Sequence, residues 1–184
     1  MHLTITIPPA QLRDVLPSER ELAQAAGRGV SNIVKRRLVE RDSRGRSDGL
    51  PRTGYYGEAA SDMTTELAGK TAIVTIDKEG VALHYYGGVV YPTDGHKALA
   101  IPKSIQGAGK RPAEADPDRT KFALVWPKGK TTGTLRDKET DEIVYLLVSK
   151  AKIKEDKTVL PTESEMVEAG MDEILSLIKN WESS

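Results

Sequence analysis

Cysteine is absent from this 184-residue chain. Disulfides, thiolate metal sites and cysteine nucleophiles are excluded together, and folding in a reducing compartment is the expectation. Aromatic residues are scarce, with one Phe and two Trp, so a core must be mainly aliphatic. There is no excess charge of either sign. The 27 basic and 27 acidic residues cancel, which removes whole-body attraction to DNA or an anionic membrane and leaves local patches only. No apolar run approaches the ~20 residues of a membrane helix. The opening MHLTITIPPA has no basic n-region and no long apolar core, so no signal peptide is read there. A soluble chain with no membrane partner is expected.

Length fits a single domain with an appended arm, and is enough to bury a core. The division expected is an arm over 1–52, holding a strand, a helix and a basic loop, and a core over 53–184 with a long loop at 104–121. His2 to Ile7 alternates as a strand does, and Pro8-Pro9 ends it. Ser18 and Glu21 form a capping box, which starts a helix at Ser18. Leu22, Ala25, Ala26, Val30, Ile33, Val34 and Leu38 give that helix one apolar stripe, and Gly27 and Gly29 weaken its middle. Between Lys35 and Arg52, seven basic residues face three acidic ones. Arg36, Arg37, Arg41, Arg44 and Arg46 are its candidate phosphate contacts, against the plainer reading of cations solvated at a helix C-terminus.

Tyr55-Tyr56 reads as a loop anchor, with base stacking as the alternative, and Glu58 to Leu67 as a short helix. Thr71 to Ile76 reads as a strand. From Val81 to Lys103 the expectation is a β-hairpin and a returning strand, with Gly87-Gly88 at the turn because glycine reaches positive φ freely. Pro92 and Pro102 act as strand stops there. Tyr85, Tyr86 and Tyr91 are packing or interface anchors, and His84 fixes the hairpin. Ser104 to Lys121 is either a projecting functional loop or disordered. Phe122–Trp126 and Thr131–Leu135 read as paired strands. Ile143 to Ser149 is nearly all apolar, which suggests burial on both faces. Thr162 and Glu165 form a second capping box. The helix it opens carries Val167, Met171, Ile174, Leu175, Ile178 and Trp181 as a core stripe and an acidic outer face. The basic N-terminal segment and acidic C-terminal helix could order subunits in a ring.

Chemistry is hard to find. His84, Asp94 and His96 match no metal spacing. No nucleophile elbow or phosphate-cradling loop occurs, and Gly27-Arg28-Gly29 lacks the strand of a dinucleotide turn. No catalytic, metal or cofactor-binding residue is assigned, and no enzyme is expected.

His84-x-x-Gly87-Gly88, Pro92 and Lys97-x-Leu99-x-Ile101-Pro102 form a pattern of structural residues. Ile143–Val148 follows, then Lys152-Ile153 and Pro161. Together they resemble the phage virion morphogenesis family, the tail-completion or head–tail joining proteins, over roughly residues 60 to 180. The chain departs from that pattern at Gly107–Asp118, and at Lys154–Pro161, where a compact arginine-proline-aromatic ending belongs. The resemblance implies an assembly protein located in the virion after assembly in the host cytoplasm. Its partners would be copies of itself in a ring, a tail tube or terminator protein, and the head connector, with transient contact to packaged DNA. The alternative is a small nucleic-acid-binding module using segment 35–52. The fold class expected is α+β: an antiparallel meander with an N-terminal helical segment and a C-terminal helix packed on the sheet.

Overall fold

Ser18 opens the longest helix, α1 (Glu19–Ser43). Its Oγ accepts the Glu21 N–H at 3.3 Å, while the Glu21 carboxylate takes the Ser18 N–H at 2.8 Å and the hydroxyl at 2.7 Å. The capping box read from sequence is therefore in place. The computed structural model describes residues 2–6, 17–44, 53–93 and 95–182. The Pro8-Pro9 break, the loop 45–49, Arg46, Arg52 and Asp94 lie outside the described residues.

The expected α+β class is what is found: an N-terminal helix, antiparallel sheets and a C-terminal helix. Contacts divide the chain into two units. Unit 1 holds Met1–Arg41, Tyr55–Tyr86 and Asp156–Ser184, and unit 2 holds Asp42–Gly54 and Gly87–Glu155. These units are interleaved in sequence and do not follow a boundary at residue 52.

In unit 1, β1 (His2–Thr6), β2 (Thr64–Ala68) and β3 (Thr71–Thr75) form an antiparallel sheet with β3 central. Gly69, at φ +64°, makes the tight β2–β3 turn. Ala72, Val74 and Ile76 are buried, as their alternation predicted. The strand β2 takes the place of the second half of a helix expected over 58–67. The observed helix is shorter, α2 (Tyr55–Ser61), and the β-branched pair Thr64-Thr65 pairs with Val74 and Thr75 instead.

The first half of α1 is buried on several sides rather than along one stripe. A Cβ on Gly27 would lie 2.7 Å from the Ala72 Cβ of the sheet. A Cβ on Gly29 would overlap the Ala169 carbonyl of α5 (Glu163–Glu182). Residues 27 and 29 point about 200° apart around a helix, so α1 runs between β3 and α5. These glycines are the points of closest approach, a role the helix-weakening reading missed. Leu22, Ala25 and Ala26 of α1 pack with Ile174, Leu177 and Ile178 of α5. Farther along, Val30, Val34 and Leu38 join Tyr56, Val74, Ile76, Val81 and Leu160 in the main core, against which Met166 packs.

The hairpin expected at Val81–Lys103 is corrected. Glu79–Tyr86 is a helix, α3. Val81 and Tyr85, four residues apart, both meet the core, and His84 lies on the same face. Ala82 and Leu83 favour a helix, and Glu79 suits its N-terminal end. Gly87 is not a hairpin turn. At φ +72° it follows the helix as a left-handed stop, and a Cβ there would meet the Glu155 N–H nitrogen at 2.8 Å. Gly88 begins β4 (Gly88–Val90), whose partner is β9 (Ala151–Ile153) and not the strand 71–76.

Unit 2 contains that ribbon and a four-stranded antiparallel sheet ordered β5-β8-β7-β6. Its strands are β5 (Leu99–Pro102), β6 (Phe122–Val125), β7 (Thr132–Asp137) and β8 (Ile143–Val148). The meander is β6-β7-β8, later in the chain than the 71–103 stretch where it was expected. The apolar run 143–148 is an interior strand, and its adjacent residues Val144 and Tyr145 are both fully buried. Pro102 does close β5, while Pro92 lies two residues past β4.

The long connection at 104–121 is folded against this sheet. Successive i→i+3 bonds tie Gly107 to Ser104, Ala108 to Ile105 and Lys110 to Gly107, and the short helix α4 (Pro112–Ala115) follows. Gly107 lies against the Tyr145 ring, and the Tyr145 hydroxyl donates to the Lys110 carbonyl at 3.1 Å. Buried Asp116 then accepts the backbone N–H groups of Thr120, Lys121 and Phe122 at 2.8–3.1 Å.

Candidate interaction surfaces

One polar cluster in unit 1 draws residues from four elements. The Tyr56 hydroxyl and His84 Nδ1 share a hydrogen bond of 2.6 Å. Tyr55 stacks on the His84 ring with 6.4 Å between centroids. Arg41 lies over the Tyr56 ring at 5.4 Å and pairs through Nη2 with Asp156 Oδ2. The Asp156 N–H donates to the His84 carbonyl at 3.0 Å. Asp156 also accepts from the backbone and side chain of Thr158 as it caps the 3-10 turn Lys157–Val159. Burial, reinforced by the Arg41 charge and opposed by Asp156, holds the His84 pKa below its ordinary 6.5. The Thr158 hydroxyl, with Arg41, holds Asp156 below the ordinary carboxylate value. A neutral imidazole beside a charged pair closes the ends of α1, α2 and α3 onto the C-terminal segment. His84 therefore bonds a helix partner in place of the hairpin it was expected to fix. Tyr56 is the buried anchor that was read, and Tyr55 packs beside it.

The five candidate phosphate contacts separate in the structure. Arg37 Nη2 donates to Glu165 Oε1 at 2.6 Å, and Arg41 is taken by Asp156. Arg36 lies 4.0 Å from Glu40, one turn on, and Arg44 also has an interaction of its own. Arg46 is outside the described residues. Arg28 adds a second link to the C-terminal helix, 3.8 Å from Glu173. The basic helix and the acidic helix thus meet within one chain, at Arg28–Glu173 and Arg37–Glu165, so these charges are already paired before any neighbouring subunit arrives.

Other sequence candidates lie at the surface. Tyr85 and Tyr86 meet edge-on at 4.9 Å, and the Lys157 ammonium sits 4.2 and 4.7 Å from their centroids. Tyr86 and Tyr91 are exposed, and Leu99 is half-buried. The core stripe expected on α5 is corrected: Val167 is 59 % exposed, Met171 and Leu175 49 %, and Trp181 48 %. Ile174 and Ile178 of the expected stripe do pack, and Met166, Gly170 and Leu177 complete the packed side, so the buried face is rotated from the rest of the stripe. A helix sheltered on only one side can carry an apolar strip wider than its contact. In unit 2, Leu124, Val125 and Trp126 are exposed on the edge strand β6 and just beyond it. One feature lay unread in the sequence: Lys150, Lys152 and Lys154 alternate along β9 and its flanks, a period of two that places them on one face.

Among the described residues no group of three His, Cys, Asp or Glu side chains could hold a metal ion, and no helix is long and apolar enough to cross a membrane. The fold and surfaces define an α+β chain of two units with uncovered apolar and basic faces. No family model, curated protein or solved structure matches it.

Proposed function

We propose that this chain is an assembly protein of a tailed-phage virion, acting in tail completion or head–tail joining by associating with copies of itself. The residue pattern from His84 to Pro161 supports the virion setting. The observation that carries the self-association is the α5 strip of Val167, Met171 and Leu175. These lie at i, i+4 and i+8, all about half exposed, and Trp181 stands beyond them. Contiguous apolar surface of this kind marks an interface in soluble proteins, and a second copy of the same strip is its natural cover in a symmetric contact. The tail tube or terminator and the head connector are the further partners in this reading, and binding is its whole mechanism.

Two measurements test it. Light scattering after gel filtration should give an oligomer that the Met171→Lys/Leu175→Lys variant reduces to a monomer with an unchanged circular dichroism spectrum. Electron microscopy of lysates from a phage with a nonsense mutation in this gene should show filled heads beside unattached tails. Normal infectious particles would refute the virion role.

A further inference from the structure

We infer that the outward face of the β4–β9 ribbon binds a single-stranded nucleic acid through its phosphates. The net charge of zero conceals a division. Unit 2 holds 16 Lys and Arg against 11 Asp and Glu, an excess of five positive charges. Unit 1 holds 11 against 16, the opposite excess. Within the basic unit, Val89 pairs with Lys152 in the ribbon register. Both central residues are exposed while their neighbours in each strand are half-buried, so one face of the ribbon looks outward.

The alternation of exposed and half-buried residues runs past the paired residues, through Val89 and Tyr91 on one strand and through Lys150, Lys152 and Lys154 on the other. All three lysines are exposed, and among the described residues none of their side chains has an ion pair or hydrogen bond. Lysines two residues apart on a strand stand about 6.7 Å apart, close to the separation of neighbouring phosphates along an extended nucleic-acid strand. Three ammonium groups in one row therefore match one row of phosphates. Tyr91, 60 % exposed, and Val89, 45 % exposed, rise beside the row. They offer a base the aromatic and apolar surface that single-strand sites use. A base inside a duplex is already stacked on its neighbours and cannot use Tyr91, which commits the site to a single strand. The arginines of α1 lack this geometry, because Arg37 and Arg41 face carboxylates.

Fluorescence anisotropy of the purified full chain with a labelled oligothymidylate of about 15 nucleotides reads the site. Three phosphate contacts give a log–log salt slope near −2, or about 20-fold weaker binding between 50 and 200 mM salt. Lys150→Ala/Lys152→Ala/Lys154→Ala should abolish most of that slope. Tyr91→Ala should weaken binding about tenfold without changing it, and Arg36→Ala should leave it untouched. A duplex of the same length should bind more weakly. Absence of binding at the lowest salt overturns the inference. So does a triple variant that binds like the wild type, equal loss in Arg36→Ala, or a duplex that binds as well with Tyr91 dispensable. The assay needs no assembled particle, so its failure leaves the virion reading standing, and the converse also holds.

Discussion

Two glycines at one helix crossing should respond with opposite sign to the same substitution. Gly29 of α1 and Gly170 of α5 both lie in helix interiors, where alanine is worth about 1 kcal/mol more than glycine. A Cβ on Gly170 would find the Ala26 atoms at 3.6–3.7 Å, which is ordinary contact. Gly170→Ala should therefore keep most of the propensity gain and raise stability by up to about 1 kcal/mol. A Cβ on Gly29 would overlap the Ala169 carbonyl and approach the Gly170 Cα to 3.0 Å. Those are backbone atoms, so relief requires the helices to separate and disturbs the packing of Ala26 and Ile174. Overpacking of this kind costs about 1–3 kcal/mol, and a rigid neighbour puts Gly29→Ala toward the upper end. Less the propensity gain, it should lose about 1–2 kcal/mol. For a chain of this length that is a fall in Tm of roughly 2–8 °C, against a rise of about 2–4 °C for Gly170→Ala. Thermal melts followed by ellipticity at 222 nm measure both. A rise in Tm for Gly29→Ala, or shifts of the same sign, would refute the close crossing.

Tyr56→Phe removes the hydroxyl bonded to His84 and leaves Nδ1 without that partner, which should cost about 1–2 kcal/mol in urea unfolding. The same experiment on the His84→Ala background should show a clearly smaller loss, and an equal loss would count against the pairing. Stability should fall as pH drops from 6.5, because the unfolded chain takes up a proton at His84 that the folded one resists. His84→Gln should flatten the profile between pH 7 and 5.5, and an unchanged slope there would assign it elsewhere. A second decline should begin as the pH falls into the ordinary carboxylate range, where the unfolded chain takes up protons that Asp156 and Glu165, both held low by hydrogen bonds and arginines, still resist in the fold. Asp116→Ala leaves the N–H of Phe122 unpaired at the outer side of β6, beside exposed Leu124. Increased light scattering on storage is expected from the opened edge, and scattering equal to the wild type would rule that role out.

Local signals in the sequence carried much of the fold. Ser18/Glu21 and Thr162/Glu165 located two helix starts because a capping box is complete within four residues. The alternation of Ala72, Val74 and Ile76 fixed which face of β3 is inward. The lysine alternation at 150, 152 and 154 was equally legible, though it gained meaning only once β4 supplied its other half. Where two local signals competed, the reading failed. Gly87-Gly88 suggested a turn, while the i, i+4 spacing of Val81 and Tyr85 described a helix that the core selected. Tertiary structure alone decided that Gly27 and Gly29 serve close approach, since a missing Cβ has meaning only when another backbone arrives. It also decided that Arg37 and Arg41 are spent on Glu165 and Asp156, more than a hundred residues away in sequence, and that most of the α5 stripe stays uncovered. The sequence determines which side chains share a face, because helix and strand periods are local. Which faces meet depends on long-range packing, where burial of apolar area and pairing of charge are settled together.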